Sequence, residues 1–335
     1  MMRLPWFDYR APRTVAEAAR ILAGEGPRAM LIAGGTDLLP NMKRRHQTPK
    51  VLVSLKQIGK LKNLSNGNGI SLGSGLTLSE VLKIEQIPGA LRQAAAQVAT
   101  VHLRNAGTLG GNLCLDTRCN YYNQNYEWRK AIDFCLKKDG DICWVATASK
   151  RCVAVSSTDT APALIALNAK IVLEGPGAER EIPVEALYRN DGIDYLSRKP
   201  DEILTRISVP AGWQSTYWKL RRRGAFDFPI LGVAVALKFS SGNIIEQARV
   251  ALGAAASRPF LVEKAGEYLN GKKLSDETIA EASAIIANRA KPLDNTDMDM
   301  YWRKEVADDF AGYALRELRG DDMRETRLRI SRYLV

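Results

Sequence analysis

The residues of this sequence best suited to chemistry are four cysteines and two glycine pairs. Cys119, Cys135, Cys143 and Cys152 follow the spacing C-x15-C-x7-C-x8-C, and Cys114 lies five residues upstream of the first. Four thiolates are the ligand set of an iron–sulfur cluster or of a tetrahedral zinc site. The spacing lacks the paired C-x-x-C pattern of zinc ribbons and does not by itself choose between the two metals. Cysteines packed in a core without metal are the third reading, because free cysteine is among the most buried residue types. The glycine pairs stand in Ala33-Gly34-Gly35-Thr36-Asp37-Leu38-Leu39 and in Thr108-Leu109-Gly110-Gly111-Asn112-Leu113. Adjacent glycines let backbone N–H groups approach phosphate oxygens without obstruction by Cβ, and Thr or Asn side chains add hydrogen bonds. Two such segments suit a pyrophosphate, whereas a lone Gly-Gly is more often a tight turn. Neither has the G-x-G-x-x-G spacing of the Rossmann dinucleotide fold, so a different nucleotide-binding architecture is expected. With only His46 and His102, a histidine-rich metal centre or a Ser-His-Asp triad has few candidates.

The elements that must position these residues are legible in the surrounding pattern. Thr14 followed by Glu17 predicts a capping box, and the Ala/Ile/Leu spacing after it a helix ending near Gly24 to Gly26. The apolar run 29–33 predicts a buried strand breaking into the first glycine segment, and 52–55 a further strand. The turn chemistry of Ser65-Asn66-Gly67-Asn68-Gly69 predicts a hairpin between 61–64 and 70–73. A second capping box, Thr77 to Glu80, opens a helix, and another helix covers 90–99 before the second glycine segment, which reads as a loop. A polar, aromatic stretch of about 114–155 carries the cysteines and behaves as an insertion, after which 160–167 reads as helix and 170–173 as strand. Strands at 217–220, 230–239 and 246–252 and helices at 261–269, 278–289 and 301–318 complete a sheet backed by helices.

A chain of 335 residues, 46% of them hydrophobic, can bury a sizeable core and by length should form two or three lobes. The net charge of +11 raises the question of nucleic acid. Its densest runs, Lys43-Arg44-Arg45 and Arg221-Arg222-Arg223, are not interleaved with base-stacking aromatics, which argues against that partner. Surface solvation and docking to an acidic partner subunit remain as readings. No apolar run reaches the ~18–20 residues of a membrane span, and MMRLPWFDYRAP lacks a secretory core, so no membrane and a cytoplasmic location are expected. Five cysteines in a reducing compartment argue against a disulfide framework.

The glycine segments, the opening Phe7-Asp8-Tyr9 with Pro12 and Thr14 to Ala18, the run Ser157-Thr158-Asp159-Thr160-Ala161-Pro162-Ala163-Leu164, and Leu252-Gly253-Ala254 with Arg258-Pro259 carry a resemblance that runs nearly end to end. The sequence resembles the FAD-binding medium subunits of the xanthine dehydrogenase and carbon monoxide dehydrogenase superfamily of molybdenum hydroxylases. The resemblance implies an α+β fold: a two-lobed FAD-binding domain of the vanillyl-alcohol-oxidase type, with lobes at 1–57 and 58–213, then a CO-dehydrogenase-flavoprotein-like domain at 214–335. It assigns Ala33, Gly34, Gly35, Thr36, Asp37, Leu38, Thr108, Leu109, Gly110, Gly111 and Asn112 to the FAD pyrophosphate and its surroundings, Asp159 to the flavin nucleotide and Lys219 to the vicinity of the flavin ring. For Asp159 the structural reading is a helix N-cap. Neither histidine lies in a loop that demands it, so FAD is expected to be dissociable.

Ordinary medium subunits lack the cysteine segment. Through Asp116-Thr117-Arg118-Cys119, Tyr122-Asn123-Gln124, Trp128-Arg129, Cys135-Leu136-Lys137 and Arg151-Cys152 it resembles the insertion of 4-hydroxybenzoyl-CoA reductase β subunits. That implies a [4Fe-4S] cluster on Cys119, Cys135, Cys143 and Cys152, with Cys114 a packed spare thiol. It also implies a large molybdenum-cofactor subunit, a small subunit with two [2Fe-2S] clusters, a dimer of heterotrimers and electrons entering from ferredoxin to remove a phenolic hydroxyl. The alternatives are a related dehydrogenase for another aromatic or heterocyclic substrate, and a stand-alone flavin oxidase with structural zinc.

Overall fold

The computed structural model describes residues 3–333. The first lobe holds β1 (Asp8–Arg10), α1 (Val15–Glu25), β2 (Ala29–Ile32), α2 (Leu38–Lys43) and β3 (Val51–Ser54), the strands forming a parallel sheet in the order β1-β3-β2. The hydroxyl of Thr14 accepts the N–H of Glu17 at 3.1 Å, but the Glu17 carboxylate reaches the N–H of Arg13 at 3.0 Å. The expected capping box therefore closes one residue early. Val15, Ala18, Ala19 and Leu22, one stripe of α1, pack on Val51 and Val53. β2 is an edge strand, which leaves one side of it to face a cavity.

The second lobe is built from β4 (Leu64–Gly67), β5 (Gly69–Gly73), α3 (Leu78–Leu82), α4 (Gly89–Ala96), α5 (Val101–Arg104), α6 (Leu109–Leu113), α7 (Tyr126–Ala131), α8 (Thr160–Ala166), β6 (Lys170–Glu174), β7 (Glu179–Pro183) and β8 (Ile203–Pro210). Its antiparallel sheet runs β4-β5-β8-β6-β7. The hairpin turns later than the sequence predicts: Gly67 pairs with Gly69, and Gly59–Lys62 is a 3-10 helix instead of strand. Gly69 has φ +128°, and a Cβ there would meet the carbonyl of Val209 at 2.3 Å, so both backbone and packing require glycine. Thr77 and Glu80 make the full reciprocal capping box.

The third region comprises β9 (Gln214–Leu220), β10 (Leu231–Phe239), β11 (Ile245–Gly253), β12 (Phe260–Leu261), α9 (Glu263–Leu269), α10 (Asp276–Arg289), α11 (Met300–Arg319) and α12 (Arg324–Tyr333). The sheet order is β12-β11-β10-β9. Alternation along β10 sorts its side chains: Val233, Val235 and Leu237 enter the core under the helices, while Ala234 and Ala236 enter the core of the second lobe. Small residues on that face let the sheet close on α8. Arg327 of α12 places its guanidinium 3.9 Å from the Trp218 ring and pairs with Glu317 at 2.5 Å, a docking the sequence did not announce. The result is the expected mixed α+β architecture, two lobes followed by a sheet-and-helix region. Among the described residues no helix is long and apolar enough to cross a membrane.

Candidate functional site

A cavity of about 610 Å³ opens between the two lobes and the loop that joins β9 to β10. That volume lies inside the roughly 300–1,000 Å³ range of small-molecule and cofactor sites. The first glycine segment forms one wall: Ala33, Gly34, Gly35, Thr36, Asp37 and Leu38 all line it. Among the described residues no protein acceptor receives the N–H groups of Gly34, Gly35, Thr36, Asp37 or Leu38. Five consecutive donors on a cavity wall are suited to an anionic ligand. Gly35 sits at φ +69°, and a Cβ on Gly34 would lie 2.0 Å from the carbonyl oxygen of Ala106. The segment that bears the donors is thus seated directly on the backbone leading to the second glycine segment.

The second segment differs from the sequence expectation. It is the short helix α6, not a loop, because Thr108 caps it by accepting the N–H of Gly111 at 3.0 Å. The N–H of Leu109 goes to Leu76, that of Gly110 to Ser74 and that of Asn112 to Thr108. These donors are consumed inside the protein, so this segment shapes the cavity but does not offer backbone N–H groups to a phosphate. Thr108, Gly110, Gly111 and Asn112 line the cavity, whereas Leu109 is buried in the core of the second lobe. The Oδ1 of Asn112 accepts from Thr158 Oγ1, Thr160 N and Thr160 Oγ1, and among the described residues its Nδ2 has no protein acceptor. A Cβ on Gly110 would stand 2.7 Å from the Cβ of Ser74. Gly110→Val is therefore expected to cost roughly 1–3 kcal/mol of stability by overpacking. Urea midpoints measured without FAD should fall; an unchanged midpoint with lost FAD binding would return Gly110 to a direct ligand contact.

Asp159 lines the cavity but does not cap α8 with its side chain. Its carboxylate accepts from Lys219 Nζ at 3.0 Å and Tyr217 Oη at 2.9 Å, while the α8 N-terminus is served by Thr158 and Asn112. The N-cap reading of Asp159 is thereby corrected. Lys219 is fully buried, bonds also to the carbonyl of Gln97 at 3.0 Å and does not reach the cavity wall, which it meets only through Asp159. Burial pushes the Asp159 carboxyl above the usual carboxylate range and the Lys219 ammonium below its own, with their ion pair opposing both shifts. The cationic side chain in the wall is Arg198. Sequence reasoning also missed Asp116, Tyr195, Phe226 and Phe228, which line the cavity from distant segments. The aromatic Phe226-Asp227-Phe228 run in the loop after β9 was the one available signal, and Phe228 lies 4.8 Å beneath the Arg118 guanidinium.

A second, much smaller cavity lies in the cysteine segment, and Cys119, Cys135, Cys143 and Cys152 all line it. All four are buried and none forms a disulfide. Of this segment only α7 is regular; the rest is held by the Arg118–Val155 backbone pairing and by Asn295, whose Nδ2 donates to Val153 at 2.6 Å. His46 stacks on Tyr122 at 4.5 Å, tying the segment to the first lobe. Asp37 of the glycine segment pairs with Arg118, which also bonds Asn41. Burial pushes the Cys119 thiol up to about 12 and the Cys152 thiol to about 11, with backbone hydrogen bonds opposing both shifts and the Lys137 ammonium opposing that of Cys152. The donor set is that of a four-thiolate centre. The free space is only about 10 Å³, and among the described residues no three His, Cys, Asp or Glu side chains already stand in metal-holding geometry. Cys114, expected as a packed spare thiol, is half-buried, packs against the core of the second lobe away from the other four and also lines the larger cavity.

The donor-lined cavity between two lobes is suited to an anionic ligand, and its glycine segments lack the spacing of the Rossmann class. Residues 5–212 match the family described as the FAD binding domain in molybdopterin dehydrogenase, and residues 215–318 the CO dehydrogenase flavoprotein C-terminal domain. The chain belongs to this family, the FAD-binding medium subunits of the molybdenum hydroxylases. It is 27% identical over 319 residues to the carbon monoxide dehydrogenase medium chain of Hydrogenophaga pseudoflava, covering 93% of this chain and 96% of that one. It is 29% identical over 304 residues to the FAD-binding subunit of an Escherichia coli K12 aldehyde oxidoreductase, covering 86% and 94%. The structure of reconstituted CO dehydrogenase from Oligotropha carboxidovorans has a TM-score of 0.78 at 25% identity, over 95% of this chain and 99% of that one.

Proposed function

We propose that this chain is the FAD-carrying electron port of a molybdenum-dependent oxidoreductase built from several subunits, and that it does no substrate chemistry itself. The observation that carries this reading is the wall of five unpaired N–H groups, Gly34 to Leu38, in the cavity of a chain belonging to this family. These groups would hold the pyrophosphate, Asn112 Nδ2 and Arg198 would add polar contacts, and the buried Asp159–Lys219 pair would fix the far wall. Bound FAD supplies storage of two electrons and their release one at a time. Relatives described as medium chains and FAD-binding subunits support partners of the family's usual kind: a large molybdenum-cofactor subunit and a small subunit with two [2Fe-2S] clusters.

The reading extends to a [4Fe-4S] cluster on Cys119, Cys135, Cys143 and Cys152, supported by their convergence on one cavity. Cys135→Ser is expected to lower bound iron by at least half while FAD occupancy stays near wild type, since the glycine segment contains none of these ligands. Iron and flavin analysis of the purified variant checks it, and parallel loss of both would count against the assignment. For the substrate, relatives named for nicotinate and for xanthine support a dehydrogenase acting on an aromatic or heterocyclic compound. The cysteine segment favours a second reading, a reductase of the 4-hydroxybenzoyl-CoA type driven by ferredoxin. Reduction of the bound flavin by ferredoxin, against its reduction by substrate in the assembled enzyme, separates the two.

A further inference from the structure

The two cavities share a wall, and one ion pair spans it. Asp116 lines the dinucleotide cavity and Lys137 lines the cysteine cavity, with Lys137 Nζ donating to Asp116 Oδ1 at 2.8 Å and both side chains 7% exposed. The ammonium also donates to Thr117 Oγ1 at 2.7 Å and to the carbonyl of Gly192 at 2.5 Å, and stands 4.8 Å from the Tyr122 ring centre and 5.6 Å from that of Tyr195. Asp116 is fixed in turn by Tyr122 Oη at 3.2 Å, Gln47 Nε2 at 3.4 Å and the N–H of Thr117 at 2.9 Å. The pair is therefore locked in one orientation, its cation on the thiol side and its anion on the dinucleotide side. Neither residue contributes to the roles assigned above.

We infer that the Asp116–Lys137 pair is a positioning element that sets the reduction potentials of the two centres relative to each other. The inference rests on reading the cysteine cavity as an iron–sulfur site and the larger cavity as the FAD site. An electron arriving at either centre adds negative charge, and in a buried setting a fixed charge a few ångströms away acts with little screening. A cation stabilises the reduced state and raises the potential; a carboxylate lowers it. Because Lys137 is on the thiol side and Asp116 on the dinucleotide side, the pair raises the potential of the cysteine centre and lowers that of the flavin. A pair that only held the wall together would move neither potential selectively.

The test is a redox titration of the whole protein, carrying iron and FAD, followed by visible absorbance and electron paramagnetic resonance. Lys137→Gln, which keeps a donor for Asp116 without the charge, is expected to shift the cysteine centre to more negative potential by more than it shifts the flavin. Asp116→Asn is expected to shift the flavin to more positive potential by more than the cysteine centre. The double variant should move each centre less than the single change that dominates it, and Lys137→Arg should restore both potentials. Should Lys137→Gln fold poorly, the Asp116→Asn arm still decides. Wild-type protein without iron overturns the cluster reading and this inference together. Wild-type protein with iron and FAD, whose Lys137→Gln and Asp116→Asn variants retain both groups at unmoved potentials, overturns this inference alone.

Discussion

Replacing Gly34 by valine is expected to weaken FAD binding by about 100-fold or more and to destabilise the chain by about 3 kcal/mol. The Cβ of any residue here would lie 2.0 Å from the Ala106 carbonyl oxygen, so one of the two backbones must move. Overpacking against backbone falls at the upper end of the roughly 1–3 kcal/mol range for inserted core atoms. The displaced segment carries the free N–H groups of Gly34 to Leu38. Loss of two charge-assisted hydrogen bonds at about 1.5 kcal/mol each corresponds to roughly a hundredfold in affinity. Flavin fluorescence titration and urea unfolding measure the two effects, and wild-type FAD affinity in the variant would remove the first glycine segment from the site.

Lys219→Met is expected to cost about 3–5 kcal/mol, because it leaves the buried Asp159 carboxylate with only the Tyr217 hydroxyl as partner. The double change Lys219→Met with Asp159→Asn should recover most of that loss, as removing both charges costs far less than orphaning one. The sign with pH is fixed by the carboxyl. Burial already raises the folded-state pKa of Asp159, and removing the ammonium raises it further. A raised folded value stabilises fully below the unfolded carboxyl pKa of about 4 and loses that contribution as pH rises through the folded value. The deficit of the single variant should therefore shrink on acidification, as read from urea midpoints between neutral and acid pH. A deficit that grows on acidification, or a double variant no better than the single, would contradict the ion-pair account.

How far the site could be read from sequence follows from the range of the interactions involved. The first glycine segment was legible because its signal is local: an apolar run, then two glycines before a short helix. The second was half legible. Its glycines marked a close approach, but the approach is to Ser74, and the Thr108 cap that turns the segment into α6 was passed over beside the more conspicuous Gly-Gly. Asp159 looked like an N-cap since it precedes a helix, yet Asn112, 47 positions earlier in the chain, supplies the acceptor, and Lys219 claims the carboxylate. Strand β8, central in its sheet, went unread although Ile203–Pro210 is rich in β-branched residues. Asp116 and Tyr195 reach the cavity only through tertiary packing, with no local pattern that marks them as its lining, and the aromatic run at 226–228 was the one signal for Phe226 and Phe228.

The central claim is that one chain carries a flavin in the cavity between its lobes and a metal centre on four cysteines beside it. Anaerobically purified protein should be analysed for flavin, iron, acid-labile sulfide and zinc, together with its visible spectrum. The account predicts about one FAD with about four irons and four sulfides per chain, the stoichiometry of a four-thiolate cluster. Flavin with zinc and no iron would contradict the cluster and the electron entry built on it; protein without flavin would contradict the account as a whole.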